Sequence, residues 1–426
     1  MKVLLVQSYL VGKEPPVFPI GLCCLAANLQ GYHFKTFDPN VSGDAFGEFA
    51  DILDAYRPEV IGISLRNIDS TNKRKVVFYY SYLKEMVNAV RNSPCRESRI
   101  IVGGSGFSMF AREIMEDEPE IDYGVFLEGE ETFPELLQNL DCPDSVEGVF
   151  FRSNGKVVFT GPRAQLDLSK TKPPKREAVP IEPYKGISEA IGVETKRGCV
   201  FACIYCIYGF LNGKTLRLKD PVKVADEIES LVSGKKVRRF TFVDSVFNQP
   251  LEHAEAVCRE IIRRKIDVSW SAWFHEEYLT EEFAGLCREA GCDKFILSPD
   301  GFSDRVLQNL GKTMKKRDII RAFEILVGIE DTEICFNFFK NPPGQDMLTF
   351  LSLMRFYLGA KLRLGSRVHF EFNSMRIEPH TRLYRIALEQ GLIREEDNLL
   401  YPKYFTNRNT RCIERIFDTM LLLKGK

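Results

Sequence analysis

The feature that most constrains the fold of this 426-residue chain is its alternation of short β-branched runs with helical stretches. Lys2–Val6, Phe34–Phe37, Glu59–Ser64, Arg99–Val102 and Asp122–Leu127 have the composition of buried strands. Between them, Phe18–Gln30, Phe46–Tyr56, Val76–Arg91 and Phe107–Glu116 carry apolar residues at helical spacing. Parallel strands need a crossover, and a helix supplies it. The pattern therefore predicts an α/β fold that opens with a parallel, Rossmann-like sheet over residues 1–146. Ligands of such sheets sit beyond the carboxyl ends of the strands. The loops there contain Ser64, Arg66, Asn67, Gly103, Gly104, Ser105, Glu128, Gly129 and Glu130, the candidate binding residues. Small and polar side chains suit the close approach of backbone to a large ligand. No G-x-G-x-x-G fingerprint follows the first strand, which argues against a nicotinamide site.

Residues 147–187 read as a hairpin and a connector. Ser153-Asn154-Gly155 is a hairpin turn signal. Thr160–Gly186 then holds Pro162, Pro173, Pro174, Pro180 and Pro183 with little apolar periodicity. A domain boundary is expected in this stretch.

From residue 188 the alternation resumes and runs to 391. Expected strands are Glu189–Thr195, Arg238–Val243, Asp267–Trp273, Lys294–Ser298, Glu333–Phe339 and His369–Ser374. Helices are expected at Pro221–Ser233, Leu251–Arg264, Thr280–Ala290, Lys316–Ile329 and Thr381–Gln390. These units suit a partial (β/α)6 barrel, whose chemistry gathers at the carboxyl ends of its strands. Trp270 and Trp273 on the third strand are expected to share one face. Residues 392–426 form a short tail, in which Ile413, Ile416, Phe417, Met420 and Leu421 recur at the spacing of a docked amphipathic helix.

Just after the first barrel strand stand Cys199, Cys203 and Cys206, in Cys-x3-Cys-x2-Cys spacing. Three thiolates can hold three irons of a 4Fe–4S cluster and leave the fourth iron without a protein ligand. An open position is what catalytic metal sites keep and structural sites close. A zinc knuckle is the alternative, and it wants a fourth ligand nearby. The nearest histidines, His253 and His275, are distant in sequence. The other thiols include Cys23, Cys24, Cys258, Cys287 and Cys335, whose apolar settings suit a core.

The run Thr195-Lys196-Arg197-Gly198 followed by the three cysteines, with Tyr205 before the third, resembles the radical S-adenosylmethionine (radical SAM) superfamily. That resemblance implies SAM chelated by the open iron and cleaved reductively, with Tyr205 beside its adenine. It further implies that Asp244 and Ser245 help hold the amino group, and that Ser298 and Asp300 face ribose and carboxylate. Helix capping and turn chemistry are the plain alternatives for the segments around Asn248, Ser303 and Asp304. Arg376 opens Arg-Ile-Glu-Pro-His-Thr, which is similar to a segment of cobalamin-type members.

The first domain, through Pro19-Ile20-Gly21, Val102–Gly106 and Leu127–Glu131, resembles the cobalamin-binding domain that precedes the cluster domain in one radical SAM branch. The Asp-x-His-x-x-Gly motif of some cobalamin proteins is absent, and His33 is the only histidine before His253. No protein histidine on cobalt is therefore expected. A domain that has lost cobalamin is the alternative.

Taken over nearly the whole chain, the resemblance implies a cobalamin-dependent radical SAM methyltransferase acting on an unactivated carbon or phosphorus. The reaction would use a 5′-deoxyadenosyl radical and methylcobalamin. Rearrangement, epimerisation or transfer of a 3-amino-3-carboxypropyl group, as in organoarsenical biosynthesis, fits the same layout. A non-catalytic cobalamin or iron–sulfur sensor is a different class. The implied partners are a small-molecule or natural-product precursor and a one-electron reductant such as flavodoxin or ferredoxin. Basic and acidic residues number 58 and 59, so neither nucleic acid nor a membrane is expected to attract the chain. With no apolar run of ~20 residues and 12 cysteines of metal-binding or core type, a cytoplasmic location is expected.

Overall fold

The structure, a computed structural model, describes residues 1–12, 14–407 and 410–423, the last four of these by backbone alone. The chain divides into two compact units, Met1–Ile191 and Gly192–Lys426.

In the first unit, β1 (Lys2–Gln7), β2 (His33–Phe37), β3 (Val60–Ser64), β4 (Arg99–Gly103) and β5 (Tyr123–Val125) lie parallel in the order β2-β1-β3-β4-β5. Val3–Val6 and Ile100–Val102 are buried without interruption, as strands covered on both faces must be. The covering helices are α1 (Ile20–Ala27), α2 (Ala45–Tyr56), α3 (Tyr79–Arg91), α4 (Ser105–Met109), α5 (Ala111–Asp117) and α6 (Gly129–Gln138). This strand order puts the topological switch between β1 and β3, where doubly wound sheets take their ligands.

Three local features differ from the expectation. Phe107–Glu116 is two helices, α4 and α5, broken at Phe110, whose φ of −136° is outside the helical range. Glu128–Glu130 opens α6 instead of remaining a loop, and Pro134 inside that helix masks its periodicity. The hairpin β6 (Val149–Ser153) and β7 (Lys156–Phe159) continues the first sheet, antiparallel to β5. The proline-rich stretch lies along the same unit. Tyr184 packs edge-on against Phe18 and donates its hydroxyl to Asp38 at 2.5 Å, and Lys175 N–H donates to the Cys23 carbonyl.

The second unit opens with β8 (Gly192–Val193), β9 (Lys196–Arg197), α7 (Tyr208–Leu211) and β10 (Arg217–Leu218). It continues α8 (Pro221–Lys235), β11 (Arg239–Phe242), α9 (Leu251–Arg263), β12 (Ser269–Phe274), α10 (Glu281–Glu289) and β13 (Cys292–Asp300). Then come α11 (Asp304–Asn309), α12 (Lys316–Val327), β14 (Glu333–Phe339), α13 (Met347–Leu364), β15 (Val368–Asn373), β16 (Met375–Arg376), α14 (Arg382–Glu389), β17 (Tyr404–Phe405) and α15 (Arg411–Leu423). Strands β8, β11, β12, β13, β14 and β15 form one parallel sheet in chain order. This is the singly wound layout of a partial barrel with β8 and β15 at its edges.

The first strand is shorter than Glu189–Thr195. Glu189 has a left-handed φ of +61°, and the Thr195 and Lys196 amides turn to the Asp244 carboxylate instead of a neighbouring strand. Helix α13 is additional. Its apolar residues run all the way round, so no single stripe marks it.

Trp270 and Trp273 do not share a face. They are three apart, an odd interval, and side chains of a strand alternate. Trp270 is fully buried among Phe242, Phe247 and Phe274, with its indole N–H on the Ala290 carbonyl, whereas Trp273 is partly exposed. In the tail, Ile413 and Phe417 are buried and Phe417 packs on Phe350 and Phe372, while Ile416 faces outward. The side chains of Met420 and Leu421 lie outside the described residues. Among the described residues, no helix is long and apolar enough to cross a membrane.

Candidate functional site

Cys199, Cys203 and Cys206 occupy one loop beyond β8 and β9, each half-buried. The loop is pinned at its middle. Ile204 N–H donates to the Leu310 carbonyl, and the Ile204 carbonyl accepts from Leu383 N–H at 2.7 Å. Gly198, just before the first cysteine, has φ +102°, and a Cβ there would lie 2.1 Å from the Thr215 carbonyl oxygen. Only glycine fits that turn.

The entry to the loop hangs on Asp244, which follows β11. Its carboxylate accepts from Thr195 N–H (2.8 Å), Thr195 Oγ1 (2.5 Å), Lys196 N–H (3.3 Å) and Lys196 Nζ (2.9 Å). A carboxylate has about four acceptor sites, so this one is filled. Ser245 beside it is half-buried, and its hydroxyl has no partner among the described residues.

Asp300 ends β13 in the left-handed region at φ +64°. Its Oδ2 accepts from Tyr205 Oη and lies 2.5 Å from Lys312 Nζ, which also donates to the Ser298 carbonyl at 2.7 Å. Burial alone would lower the Lys312 pKa. Asp300, then Cys203 and Glu276, outweigh it and push the ammonium above its ordinary range. The ring of Tyr205 meets Phe339 edge-on at 4.7 Å. Burial raises all three cysteine thiols, Cys206 to about 12, and the Lys312 charge opposes each shift.

This donor set fits an iron–sulfur cubane. Among the described residues, no three His, Cys, Asp or Glu side chains form a group that could hold one metal ion. A cubane asks for something different, one thiolate on each of three irons. A buried ammonium beside the thiolates offsets the negative charge they carry as ligands.

His275 and Glu276, which follow β12, were missed in the sequence. Asn248 clamps the backbone of His275 through both its amide N–H and its carbonyl oxygen. The imidazole stacks on Phe201 at 4.4 Å, inside the cysteine run. Glu277 N–H donates to its Nδ1, so Nε2 carries the proton, and Nε2 is buried without a partner. Burial, then the Lys312 charge, lowers its pKa to about 3. Glu276 is 1% exposed with Oε1 unpartnered, and burial pushes its carboxyl up to about 8 against the Lys312 charge. The strand-end rule that found Asp244 and Asp300 extends to this pair. Lys312 lies beyond α11, and no sequence rule points to it.

The remaining candidates are committed elsewhere to different degrees. Ser298 Oγ accepts from Asn337 Nδ2 at 3.2 Å, and Asn337 Oδ1 is buried without a partner. Arg376 is buried on β16, donating to Glu378 at 2.5 Å and to the Leu399 carbonyl. These contacts tie β16 to its own turn and to the tail.

In the first unit, Ser64 ends β3 in register with Gln7 and Gly103. The side chains of Ser64, Arg66 and Asn67 have no hydrogen-bond partner among the described residues. Beside them the glycine loop packs on backbone. Gly106 N–H donates to the Leu65 carbonyl, Ser105 Oγ to the Arg66 carbonyl, and a Cβ on Gly104 would lie 2.7 Å from the Leu65 oxygen. Gly103 faces Val125, and Gly129 lies against Leu25. Glu128 caps a following segment by accepting from Leu166 N–H, and half-buried Glu130 lies in the first turn of α6. Ser8 Oγ is fully buried and unpartnered at the switch between β1 and β3. Polar side chains left uncommitted there suit a large polar ligand such as a corrin with its amides. His33 sits at the amino end of β2, paired with Lys2, a strand length from the loops.

Comparison with known proteins agrees with both units. The B12 binding domain family matches residues 13–137, and the Radical SAM superfamily matches residues 193–356. An uncharacterised methyltransferase of Pyrococcus horikoshii is 25% identical over 92% of this chain and 84% of its own length. An anaerobic magnesium-protoporphyrin IX monomethyl ester cyclase of Synechocystis is 27% identical over 71% of this chain and 61% of its own. The radical SAM methyltransferase TsrM of Kitasatospora setae, solved with tryptophan and a SAM analogue, superposes with a TM-score of 0.81. That match covers 91% of this chain and 76% of TsrM at 21% identity. The chain carries a B12 binding domain followed by a radical SAM domain, and a 4Fe–4S cluster, SAM and cobalamin are the cofactors that these two domains imply.

Proposed function

We propose that the chain is a cobalamin-dependent radical SAM methyltransferase acting on an unactivated carbon or phosphorus of a small molecule, with electrons from a one-electron reductant. The observation that carries this reading is the loop of three half-buried thiols beyond the first barrel strand, within electrostatic reach of buried Lys312. When bound, the cluster and SAM supply a carbon radical, and cobalamin supplies the methyl group.

The chain supplies placement. Cys199, Cys203 and Cys206 hold three irons. Asp244 acts as a positioning residue, since its acceptors are filled by Thr195 and Lys196 at the root of the loop. Ser245 keeps a free hydroxyl for the amino group of SAM. Tyr205, Asp300, Lys312 and Ser298 form one bonded group beside the thiols that orients adenine, ribose and carboxylate. His275 Nε2–H and Glu276 Oε1 are the unpaired donor and acceptor left to meet SAM or substrate. Ser64, Arg66, Asn67 and Ser105 face cobalamin. His33 lies at the amino end of β2, so these loops would offer a bound cobalamin no histidine.

The names of two relatives favour methyl transfer. The cyclase name favours a second outcome, in which the radical rearranges or closes a ring on its substrate. The test is mass spectrometry of SAM-derived products from anaerobically reconstituted protein with cobalamin and a reductant. Methyl transfer gives S-adenosylhomocysteine together with 5′-deoxyadenosine. 5′-Deoxyadenosine alone supports the second outcome, methylthioadenosine marks 3-amino-3-carboxypropyl transfer, and no cleavage marks a sensor.

A further inference from the structure

Among the described residues, five leucines are exposed, and four of them lie on α13. Leu348, Leu351, Leu358 and Leu362 expose 78%, 55%, 58% and 87% of their surface. With Arg355 between the pairs, the intervals along the helix run three, four, three and four, the repeat of a coiled-coil seam. The helix has not turned its core face outward. Phe350 and Leu353 are buried on the other side, and Phe356 and Tyr357 pack against Phe336, Phe370 and Phe372 of the barrel. Single exposed leucines are ordinary, whereas a row of them marks an interaction surface.

Charge selects the occupant. From Met347 to Leu364 the helix carries Arg355, Lys361 and Arg363 and no acidic residue. Arg363 pairs with Glu324, and Lys361 donates to the Gly365 carbonyl. Arg355, exposed at the centre of the row, has no partner among the described residues. A second copy packed antiparallel across the row would set Arg355 against Arg355, and like charges in a contact are repulsive. A lipid surface would have to admit a guanidinium in the middle of its apolar footprint. A helix with leucines at the same spacing and a carboxylate opposite Arg355 meets both demands, and one polar seam residue fixes its register.

We propose that α13 is the docking surface for an acidic amphipathic helix of a partner protein, with Arg355 as the residue that sets register and charge preference. The test uses the full chain and two synthetic peptides of about 21 residues, three heptads, with leucine at the seam positions. One peptide carries Glu at its central seam position and the other Lys, and binding is read by fluorescence anisotropy. The Glu peptide is expected to bind roughly ten-fold or more tightly than the Lys peptide. Arg355→Glu is expected to reverse that order, and Leu351→Ser with Leu358→Ser to remove binding of both. Equal binding of the two peptides, or binding of neither, overturns the proposal. So does a dimer in sedimentation that the double serine variant dissolves, or co-sedimentation with phosphatidylserine vesicles that Arg355→Glu abolishes.

Discussion

The carboxylate of Asp244 stands 2.9 Å from the ammonium of Lys196, and both side chains are sealed from solvent. The pair ties the end of β11 to β9, which leads into the cysteine loop. Removing one member leaves the other charge buried and unpaired, which costs about 3–5 kcal/mol. Asp244→Ala is therefore expected to lower unfolding free energy by that amount in urea and to reduce iron incorporation on reconstitution. A loss below about 1 kcal/mol, the worth of an exposed pair, would contradict the placement.

Glu194 sets an acid limit on stability. It is half-buried, and desolvation alone would raise its pKa. Arg197 and Lys219 outweigh that and lower it from 4.5 to about 2. The depressed value means that this stability is present above pH 4.5 and lost as pH falls toward 2. Relative to Glu194→Gln, the wild-type chain should hold an advantage of about 3 kcal/mol at pH 7 that vanishes at pH 2. Urea titrations of both chains across that range check it.

Glu276 acts in the opposite direction. Its carboxyl is raised from 4.5 to about 8, so the cluster-free chain loses stability as pH climbs through that window. Glu276→Gln removes the titration and keeps the shape. The variant should gain on wild type by up to about 1.4 kcal/mol for each pH unit between those values. Parallel unfolding curves at every pH would show that the carboxyl is ionised in the fold.

Gly104 has φ +97° and lies where a Cβ would be 2.7 Å from the Leu65 carbonyl oxygen. Gly104→Ala should cost about 1–3 kcal/mol and weaken cobalamin binding followed by corrin absorbance. Gly43 meets nothing within 4 Å and has no left-handed φ. Gly43→Ala should be neutral or slightly stabilising.

The strand–helix alternation and the cysteine loop were legible because each rests on a strong local signal, namely runs such as Val3–Val6 and fixed cysteine spacing. What the side chains do there was less legible. Asp244 reads as a free carboxylate after a strand, and only the fold shows Thr195 and Lys196 filling it. The glycines of Gly103–Gly106 suggest an approach to a ligand, yet Gly104 and Gly106 press on the Leu65–Arg66 backbone. Lys312 was invisible because its partners Asp300 and Tyr205 meet it only through tertiary structure. Helix α13 was hidden by leucines on both faces, and its outer row is the part the barrel does not use.

The central claim is that Cys199, Cys203 and Cys206 hold a cluster whose fourth iron takes SAM. Its most direct test is the electron paramagnetic resonance spectrum of the reduced, reconstituted full chain with and without SAM. The account predicts a cluster signal that shifts when SAM is added and is lost in Cys203→Ala. A signal that ignores SAM, or one that persists in Cys203→Ala, would contradict it.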